Sequence, residues 1–438
     1  MRIVLLSGGS GKRLWPLSND SLSKQFIKLL KDDNDAYESM VQRVHRQIKE
    51  TYPQSEVYIS STQNQIDIIN RQLDDVEIIA EPLRADTYPA IVLSAAYLHY
   101  CKNLPENEVM LVCPIDPYAE KEYFRLFEDM RNIVQNGEYN IALMGATPTY
   151  PSAKYGYIVL ENGKVKKFHE KPDALTAEKL IEKGALWNCG VFALKIGYIL
   201  NHAKKYIDFD SYEKILEQYS KLPKISFDHE VVEKEPLIGY TLYSGEWEDL
   251  GTWNTLTEKM NASVVGKNIL ISDNCENTHI MNMLDIPIIA LGVKNSVIVA
   301  SYDGILVSDK HESSYLKPYT EKINLRPMYE QTQWGDYRVL KNNQDAELPV
   351  IVKQVKIEKG ATIAHHYHKK RSEFWIIIKG DGIVNVEEIE IIISPGSVVK
   401  IPVLAKHKLT AHSEIELIEI QIGSDKLEKS DIVNVVNK

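Results

Sequence analysis

The chain has 438 residues, 44% of them hydrophobic and 26% charged, with a formal net charge of −10. That length exceeds what one hydrophobic core usually serves, so two or three domains are expected, and the acidic balance excludes a broad binder of phosphate backbones though not a small anion held by a few local cations. No stretch approaches the roughly eighteen apolar residues of a membrane span, and the apolar run at residues 1–6 meets glycines too soon for a signal peptide, so a cytoplasmic protein without membrane or nucleic-acid partners is expected.

Arg2-Ile3-Val4-Leu5-Leu6 predicts a buried strand. Ser7-Gly8-Gly9-Ser10-Gly11 then predicts a loop whose glycines, lacking Cβ atoms, let backbone N–H groups close on an anion such as phosphate. A Walker A loop is excluded, because it would need glycine in place of Leu6 and Ser or Thr in place of Arg13; a Rossmann fingerprint is excluded because Leu14 stands where its third glycine would fall. Arg13 and Lys24 flank the turn Trp15-Pro16-Leu17, so a triphosphate on the loop would meet two cations as well.

Further along, short apolar runs at 56–60, 76–80, 109–113 and 141–144 alternate with helical patterns such as 90–100, which predicts a mixed, largely parallel sheet covered by helices. Among these lie Leu111-Val112-Cys113-Pro114-Ile115-Asp116, a strand ending in an aspartate, then Tyr155-Gly156-Tyr157-Ile158, Phe168-His169-Glu170-Lys171-Pro172, Trp187-Asn188-Cys189-Gly190 and Trp247-Glu248-Asp249-Leu250-Gly251-Thr252-Trp253. Two aspartates far apart in sequence can share one hard octahedral cation, although either alone would more often cap a helix or a turn. From about Asn261 the character changes, and residues 266–308 carry short β-rich segments with little helical periodicity. Cys101, Cys113, Cys189 and Cys275 lack pairing or metal spacing and read as reduced packing residues.

In this order the segments resemble the signature of the sugar nucleotidyltransferases, most closely the mannose-1-phosphate guanylyltransferase family, also called GDP-mannose pyrophosphorylases. The resemblance implies an α/β, Rossmann-like nucleotidyltransferase domain with a mixed sheet over residues 1–262 and a small left-handed β-helix-like module with linker over 263–325. It implies that GTP lies on Gly8, Gly9 and Gly11, that Arg13 and Lys24 neutralise its phosphates, and that Asp116 and Asp249 share a Mg²⁺. Lys171 would grip the phosphate of mannose 1-phosphate, Glu170 and Asn188 would bond sugar hydroxyls, and Gly156 would line the same pocket. Glu81 and Asp86 would stand on the nucleotide side, where the family reads E-P-x-G-R-N-T-A-P-A and this chain reads Glu81-Pro82-Leu83-Arg84-Ala85-Asp86-Thr87-Tyr88-Pro89-Ala90. Two roles for Asp86 stay open: accepting from the N1–H and N2–H of guanine, or capping a helix that starts near Tyr88. Pro117 and Ser23 also depart from the family, which has His after the metal-binding Asp and Pro before K-Q-F.

The last hundred residues resemble the cupin β-barrels. Gly360, His366, His368, Glu373 and Gly380 follow the spacing of the first cupin motif, and Gly396, Pro402 and His407 that of the second, with Leu404 where a glycine is usual. His366 and His368 alternate on one strand face, so both imidazoles point into the barrel, where Glu373 and His407 can complete a shell for Zn²⁺ or another divalent metal. His365 remains outside the set. Trp334-Gly335-Asp336-Tyr337, Arg371-Ser372-Glu373-Phe374-Trp375 and Leu417-Ile418-Glu419-Ile420-Gln421 resemble type II phosphomannose isomerases, which implies a cupin domain over 326–438 that interconverts mannose 6-phosphate and fructose 6-phosphate, with Arg371 assisting or binding phosphate. No residue in the sequence identifies the base that moves the proton. Two other readings stay open: a transferase for another sugar 1-phosphate, such as a heptose, or another nucleotide with a non-isomerase cupin; and a regulator that binds nucleotide sugar without turnover, against which the intact Arg13, Lys24, Asp116 and Asp249 speak. A homodimer is left open as the assembly.

Overall fold

The computed structural model describes residues 1–9, 12–19, 21–74, 76–323, 325–343, 347–423 and 431–435; Gly11 of the glycine loop lies outside them. The chain divides into two compact units, Met1–Arg13 with Ser23–Asn261, and Leu14–Leu22 with Ala262–Lys438. The turn after Arg13, which contains a cis Trp15–Pro16 bond, therefore groups with the second unit although its sequence sits inside the nucleotide-loop signature.

In the first unit the apolar strand Arg2–Leu6, buried at its centre, pairs in parallel with Glu56–Thr62 on one side and Val109–Pro114 on the other. The sheet runs in the order Lys164–His169, Tyr157–Glu161, Leu186–Lys195, Val109–Pro114, Arg2–Leu6, Glu56–Thr62, Glu77–Glu81, with Ile141–Ala146 joining Leu186–Lys195 to Ile238–Tyr243. Leu186–Lys195 is antiparallel to all three of its neighbours. Parallel pairing thus holds from Val109–Pro114 to Glu77–Glu81 and between Ile141–Ala146 and Ile238–Tyr243, so the sheet is mixed but less parallel than the strand–helix alternation suggests. The helix Thr87–Ala96 starts three residues earlier than its periodicity predicts and passes into a π turn, Tyr97–Cys101. Tyr88 through Ala96 are all buried, because the helix lies in the main core against strands and helices rather than on the surface.

In the second unit Val264–Gly266, His279–Asn282 and Ser296–Ser301 stack as a parallel ladder, Ile269–Ile271 and Ile288–Ala290 form another, and Gly304–Asp309 closes the first antiparallel. Strands of only three to six residues in parallel register are the rungs of a β-helix-like stack. Two antiparallel sheets follow. One has six strands in the order Tyr329–Thr332, Gly335–Asn343, Val350–Ile357, Ile415–Gly423, Arg371–Lys379, Val398–Ile401; the other has five, Ile389–Ile393, Gly382–Val386, His407–Ala411, Thr362–His368, Ile432–Asn434. Every second residue of Ile415–Gly423 is buried, the period expected when one face of a strand lines a barrel. The inward residues, among them Ile351, Val355, Trp375, Val384 and Leu409, form one core.

All four cysteines are free thiols, Cys113 and Cys189 buried. Among the described residues no helix is long and apolar enough to cross a membrane.

Candidate active sites

The first site forms where the parallel strands end, the edge at which open α/β sheets gather ligand-binding loops. Ser7, Gly8 and Gly9 leave Arg2–Leu6, Glu81 ends Glu77–Glu81, and Asp116 follows Val109–Pro114. Asp249 arrives from far along the chain: Trp247–Asp249 pairs antiparallel with Pro117–Ala119, setting Asp249 opposite Pro117, and Leu250 N donates to Asp116 O (3.1 Å). This two-stranded ladder is what makes the two aspartates neighbours. Pro117 sits in it where the resembled family has histidine.

Lys24, on the short 3₁₀ helix Lys24–Phe26, is buried and reaches between them, with Nζ 2.8 Å from Asp116 Oδ2 and 3.6 Å from Asp249 Oδ1. Burial disfavours its charge, yet the two carboxylates more than offset that and its pKa is raised. Burial likewise pushes the Asp116 carboxyl up, but Lys24 prevails and holds it below its usual value; at Asp249 burial, aided by repulsion from Asp116, prevails over Lys24 and the pKa is raised. Although surrounded by protein, both side chains keep about a third of their surface open (35% and 31%). Asp249 Oδ1 is itself buried and accepts no hydrogen bond among the described residues. Two clustered carboxylates with an unsatisfied oxygen suit a hard cation. Arg13 is exposed and on the same rim: a Cβ on Gly251 would lie 3.1 Å from Arg13 Nη1 and 2.8 Å from Asp249 Oδ2, so glycine there leaves room for both.

The glycine loop is braced from behind. Gln25 Nε2 donates to Ser7 O (2.8 Å), and Gln65 Nε2 donates to Ser23 Oγ (2.7 Å) and lies 3.5 Å from Gly9 O. Ser23 thus has a partner that the family's proline could not supply. Glu81 is buried, accepts from Ser60 Oγ and Tyr219 Oη, each at 3.1 Å, and presses on Gly8, where a Cβ would meet Glu81 Oε1 at 3.1 Å. Its carboxyl is pushed up by burial. Asp86 is exposed, has φ of 72°, and accepts from Thr87 N (2.8 Å) at the start of its helix.

Beside the aspartates a cavity of about 170 Å³ is lined by Lys154, Tyr155, Gly156, Glu170, Lys171, Asn188 and Asp228. Tyr155 and Trp247 line one side, with ring centroids 5.1 Å apart, and the buried Trp187 packs against Tyr155 at 5.0 Å. Lys171, at φ of 40°, donates from Nζ to Glu170 Oε1 (2.5 Å). Gly156 makes the approach possible, since a Cβ there would fall 2.6 Å from Glu170 Oε2. Asn188 Nδ2 donates to Asp228 Oδ1 (2.8 Å). Sequence reasoning missed Asp228. Burial, reinforced by Glu170 and opposed by Lys171, pushes its carboxyl up to about 7. Its only local signal is the short helix Phe227–Glu230 capped by Ser226, which any surface helix could carry.

The second site lies in the barrel. Strand register sets His366 opposite His407, and His368 shares the strand with His366. Metal-ligating atoms of His366, His368 and His407 all lie within 4.8 Å of one another. His366 Nδ1 is 2.7 Å from Ala364 O and His407 Nδ1 is 3.0 Å from Ala405 O. Each ring thereby anchors Nδ1 on the carbonyl two residues back, leaving the Nε2 lone pair for a metal. His407 Nε2 and His368 Nδ1 are buried without a hydrogen bond among the described residues, and His368 Nε2 faces a carboxylate, a donor set that a bound cation would satisfy. Burial holds His366 below its usual pKa and, with His366 adding to it, drives His407 down to about 4, so both imidazoles stay neutral and able to ligate. Glu373 comes from the facing sheet, with Oε1 2.9 Å from His368 Nε2 and Oε2 3.8 Å from His407 Nε2. It also accepts from Arg371 Nε (3.2 Å), Trp375 Nε1 (3.1 Å) and Gln421 Nε2 (3.1 Å). Arg371 is therefore buried against Glu373 inside the barrel.

An α/β sheet that gathers a glycine loop, a buried lysine and two carboxylates at its strand ends, in one chain with a cupin barrel that brings three histidines together, defines a nucleotide-handling transferase joined to a barrel with a candidate metal site. Residues 2–264 match the nucleotidyl transferase family and residues 324–437 match the mannose-6-phosphate isomerase C-terminal family. The chain belongs to the nucleotidyl transferase family. It is 27% identical to mannose-1-phosphate guanylyltransferase of Salmonella montevideo, over 99% of this chain and 98% of that one, and 28% identical to mannose-1-phosphate guanylyltransferase of Escherichia coli K12, over 99% and 98%. A crystal structure described as mannose-1-phosphate geranyltransferase from Thermus thermophilus superposes with a TM-score of 0.60 at 26% identity, covering 73% of this chain and 99% of its own.

Proposed function

We propose that the first unit transfers a guanylyl group from GTP to mannose 1-phosphate, giving GDP-mannose and pyrophosphate, and that the barrel interconverts mannose 6-phosphate and fructose 6-phosphate. The observation that carries the first activity is the meeting of Asp116, Asp249 and Lys24 beside a cavity with its own cation, Lys171. In that geometry a phosphate oxygen of the sugar phosphate, drawn to Lys171, faces the α-phosphorus of a nucleotide whose outer phosphates lie toward Arg13 and Lys24. Pyrophosphate leaves on the opposite side, and the residues hold charge rather than move protons. Mg²⁺ on Asp116 and Asp249 would neutralise the reacting phosphate. Lys24 would then turn from the carboxylates to the phosphates. Glu170, Asn188 and Asp228 orient the sugar. In the barrel His366, His368, His407 and Glu373 would hold Zn²⁺ or another divalent ion, which supplies polarisation of the substrate carbonyl.

The test is pyrophosphate release from each of the four nucleoside triphosphates against a panel of hexose and heptose 1-phosphates with Mg²⁺. GTP with mannose 1-phosphate is expected to give the highest kcat/KM; a heptose phosphate or CTP at the top of the panel would overturn the substrate assignment.

A further inference from the structure

Near the histidines of the barrel a buried acidic side chain accepts no hydrogen bond among the described residues. Asp431 heads the strand Ile432–Asn434, which pairs antiparallel with Thr362–His368 so that Ile432 lies opposite His368 and Asn434 opposite His366. Val435 N donates to His365 O (2.9 Å) and continues that pairing. The strand therefore carries Asp431 to the part of the barrel that holds the histidines. The Asp431 side chain is 4% exposed, and neither carboxylate oxygen accepts a hydrogen bond among the described residues. Arg371 Nη1 stands 3.8 Å from Asp431 Oδ2 while Arg371 Nε donates to Glu373 Oε1, so one guanidinium links Asp431 to the acidic member of the candidate metal shell.

A desolvated carboxylate without donors is costly, and such a group is retained where a ligand supplies what the protein does not. Neighbouring buried carboxylates are engaged. Glu373 accepts from three side chains, and Glu419 pairs with Lys353 at 3.4 Å and accepts from Gln421 Nε2. An aldose–ketose isomerisation needs a positioned base with a lone pair open to the carbon-bound proton, which a carboxylate without hydrogen-bond donors offers.

We propose that Asp431 is the base of the isomerisation, an assignment that rests on the isomerase reading above. Its carboxylate takes the proton from C2 of the open-chain aldose phosphate. The C2–H electron pair forms the C1=C2 bond, and the C1=O pair moves onto O1. The carboxylic acid so formed returns the proton to C1, while the O2 hydroxyl proton passes to O1 and the C2=O bond forms. The product is the ketose phosphate, and Asp431 is restored as a carboxylate. Arg371, between Asp431 and Glu373, positions the base.

The test uses the full chain with its metal, comparing wild type with Asp431→Asn and Asp431→Ala. Conversion of mannose 6-phosphate to fructose 6-phosphate should fall at least about a hundredfold in both, with metal per chain and pyrophosphate release unchanged. Formate should restore part of the turnover of Asp431→Ala, which a merely structural carboxylate would not do. Turnover of Asp431→Asn within tenfold of wild type, or loss of the metal together with activity, would overturn the assignment while leaving the isomerase reading in place. A metal-loaded wild type that does not interconvert the two sugar phosphates would overturn both.

Discussion

At the scale of single residues the most informative group is Asp228. Its carboxyl is held up at about 7 by burial and by Glu170, against the pull of Lys171 and, more weakly, His229. Below that pH it is protonated and can donate to a sugar oxygen; above it, it can only accept. KM for the sugar 1-phosphate should therefore change between about pH 6 and 8 in wild type and lose that change in Asp228→Asn, with KM for GTP unaffected; a step that survives the substitution would remove Asp228 from the sugar site. The stability effect has a definite sign. A folded pKa above the ordinary 3.8 means that stability is fully present below pH 3.8 and lost as pH rises through about 7, so Tm of wild type should fall relative to Asp228→Asn between pH 4 and pH 8. Asp86 shows a different balance. Accepting from Thr87 N already occupies one carboxylate oxygen, and asparagine can keep both that bond and a positive φ. Asp86→Asn should leave the ratio of GTP to CTP turnover unchanged; a tenfold change would instead put the carboxylate on the base. The contrast explains what could be read from sequence. Asp116, Glu170 and Asn188 stand in runs whose neighbours mark strand ends and turns, whereas Asp228 sits in a four-residue helix and becomes a site residue only because Asn188 reaches it from forty positions away.

At the scale of elements, legibility followed locality. The four runs read as strands of the first unit appear as strands, and the antiparallel barrel strands appear where inward and outward residues alternate, because each pattern is set within a few residues. What could not be read was pairing. The antiparallel direction of Leu186–Lys195 against its three neighbours depends on tertiary packing that no period records, and so does the ladder between Trp247–Asp249 and Pro117–Ala119. One local substitution does carry its consequence openly. Leu404 stands where the cupin pattern has glycine, and it adopts φ of 68° while its N–H donates to His368 O (2.8 Å). A leucine in the left-handed region costs about 1–2 kcal/mol, and glycine would lose about half of that gain through its freer unfolded chain. Leu404→Gly should therefore stabilise the second unit by about 0.5–1 kcal/mol in urea unfolding without changing the metal content. A destabilised variant would mean that the exposed leucine side chain makes contacts worth more than the strain.

At the scale of the whole molecule the proposed activities share a chain but not an intermediate. Isomerisation yields mannose 6-phosphate, while the transferase consumes mannose 1-phosphate, so a separate enzyme that moves the phosphate from O6 to O1 has to act between them. Selection for direct transfer between sites is thus not required. The two sets of residues are separable by the same argument, since Arg13, Lys24, Asp116 and Asp249 belong to one compact unit and His366, His368, Glu373 and His407 to the other. If Asp249 holds the proposed Mg²⁺, Asp249→Asn removes one charged ligand beside the reacting phosphate and should cut pyrophosphate release at least about a hundredfold, with isomerase turnover unchanged. His368→Ala makes the converse case. His368 is buried, with Nε2 2.9 Å from Glu373 Oε1 and Nδ1 without a hydrogen bond among the described residues, so its removal would delete one imidazole of the proposed shell. Losing one imidazole of a shell this small should release the metal and abolish isomerisation. Metal analysis of the purified variant together with both assays decides the matter: less than about a tenth of the wild-type metal and full pyrophosphate release is the expected pair of results. Retained metal would exclude His368 from the shell. A parallel loss of transferase activity would show that the barrel supports the nucleotide site, and the two activities would then have to be treated as one coupled system.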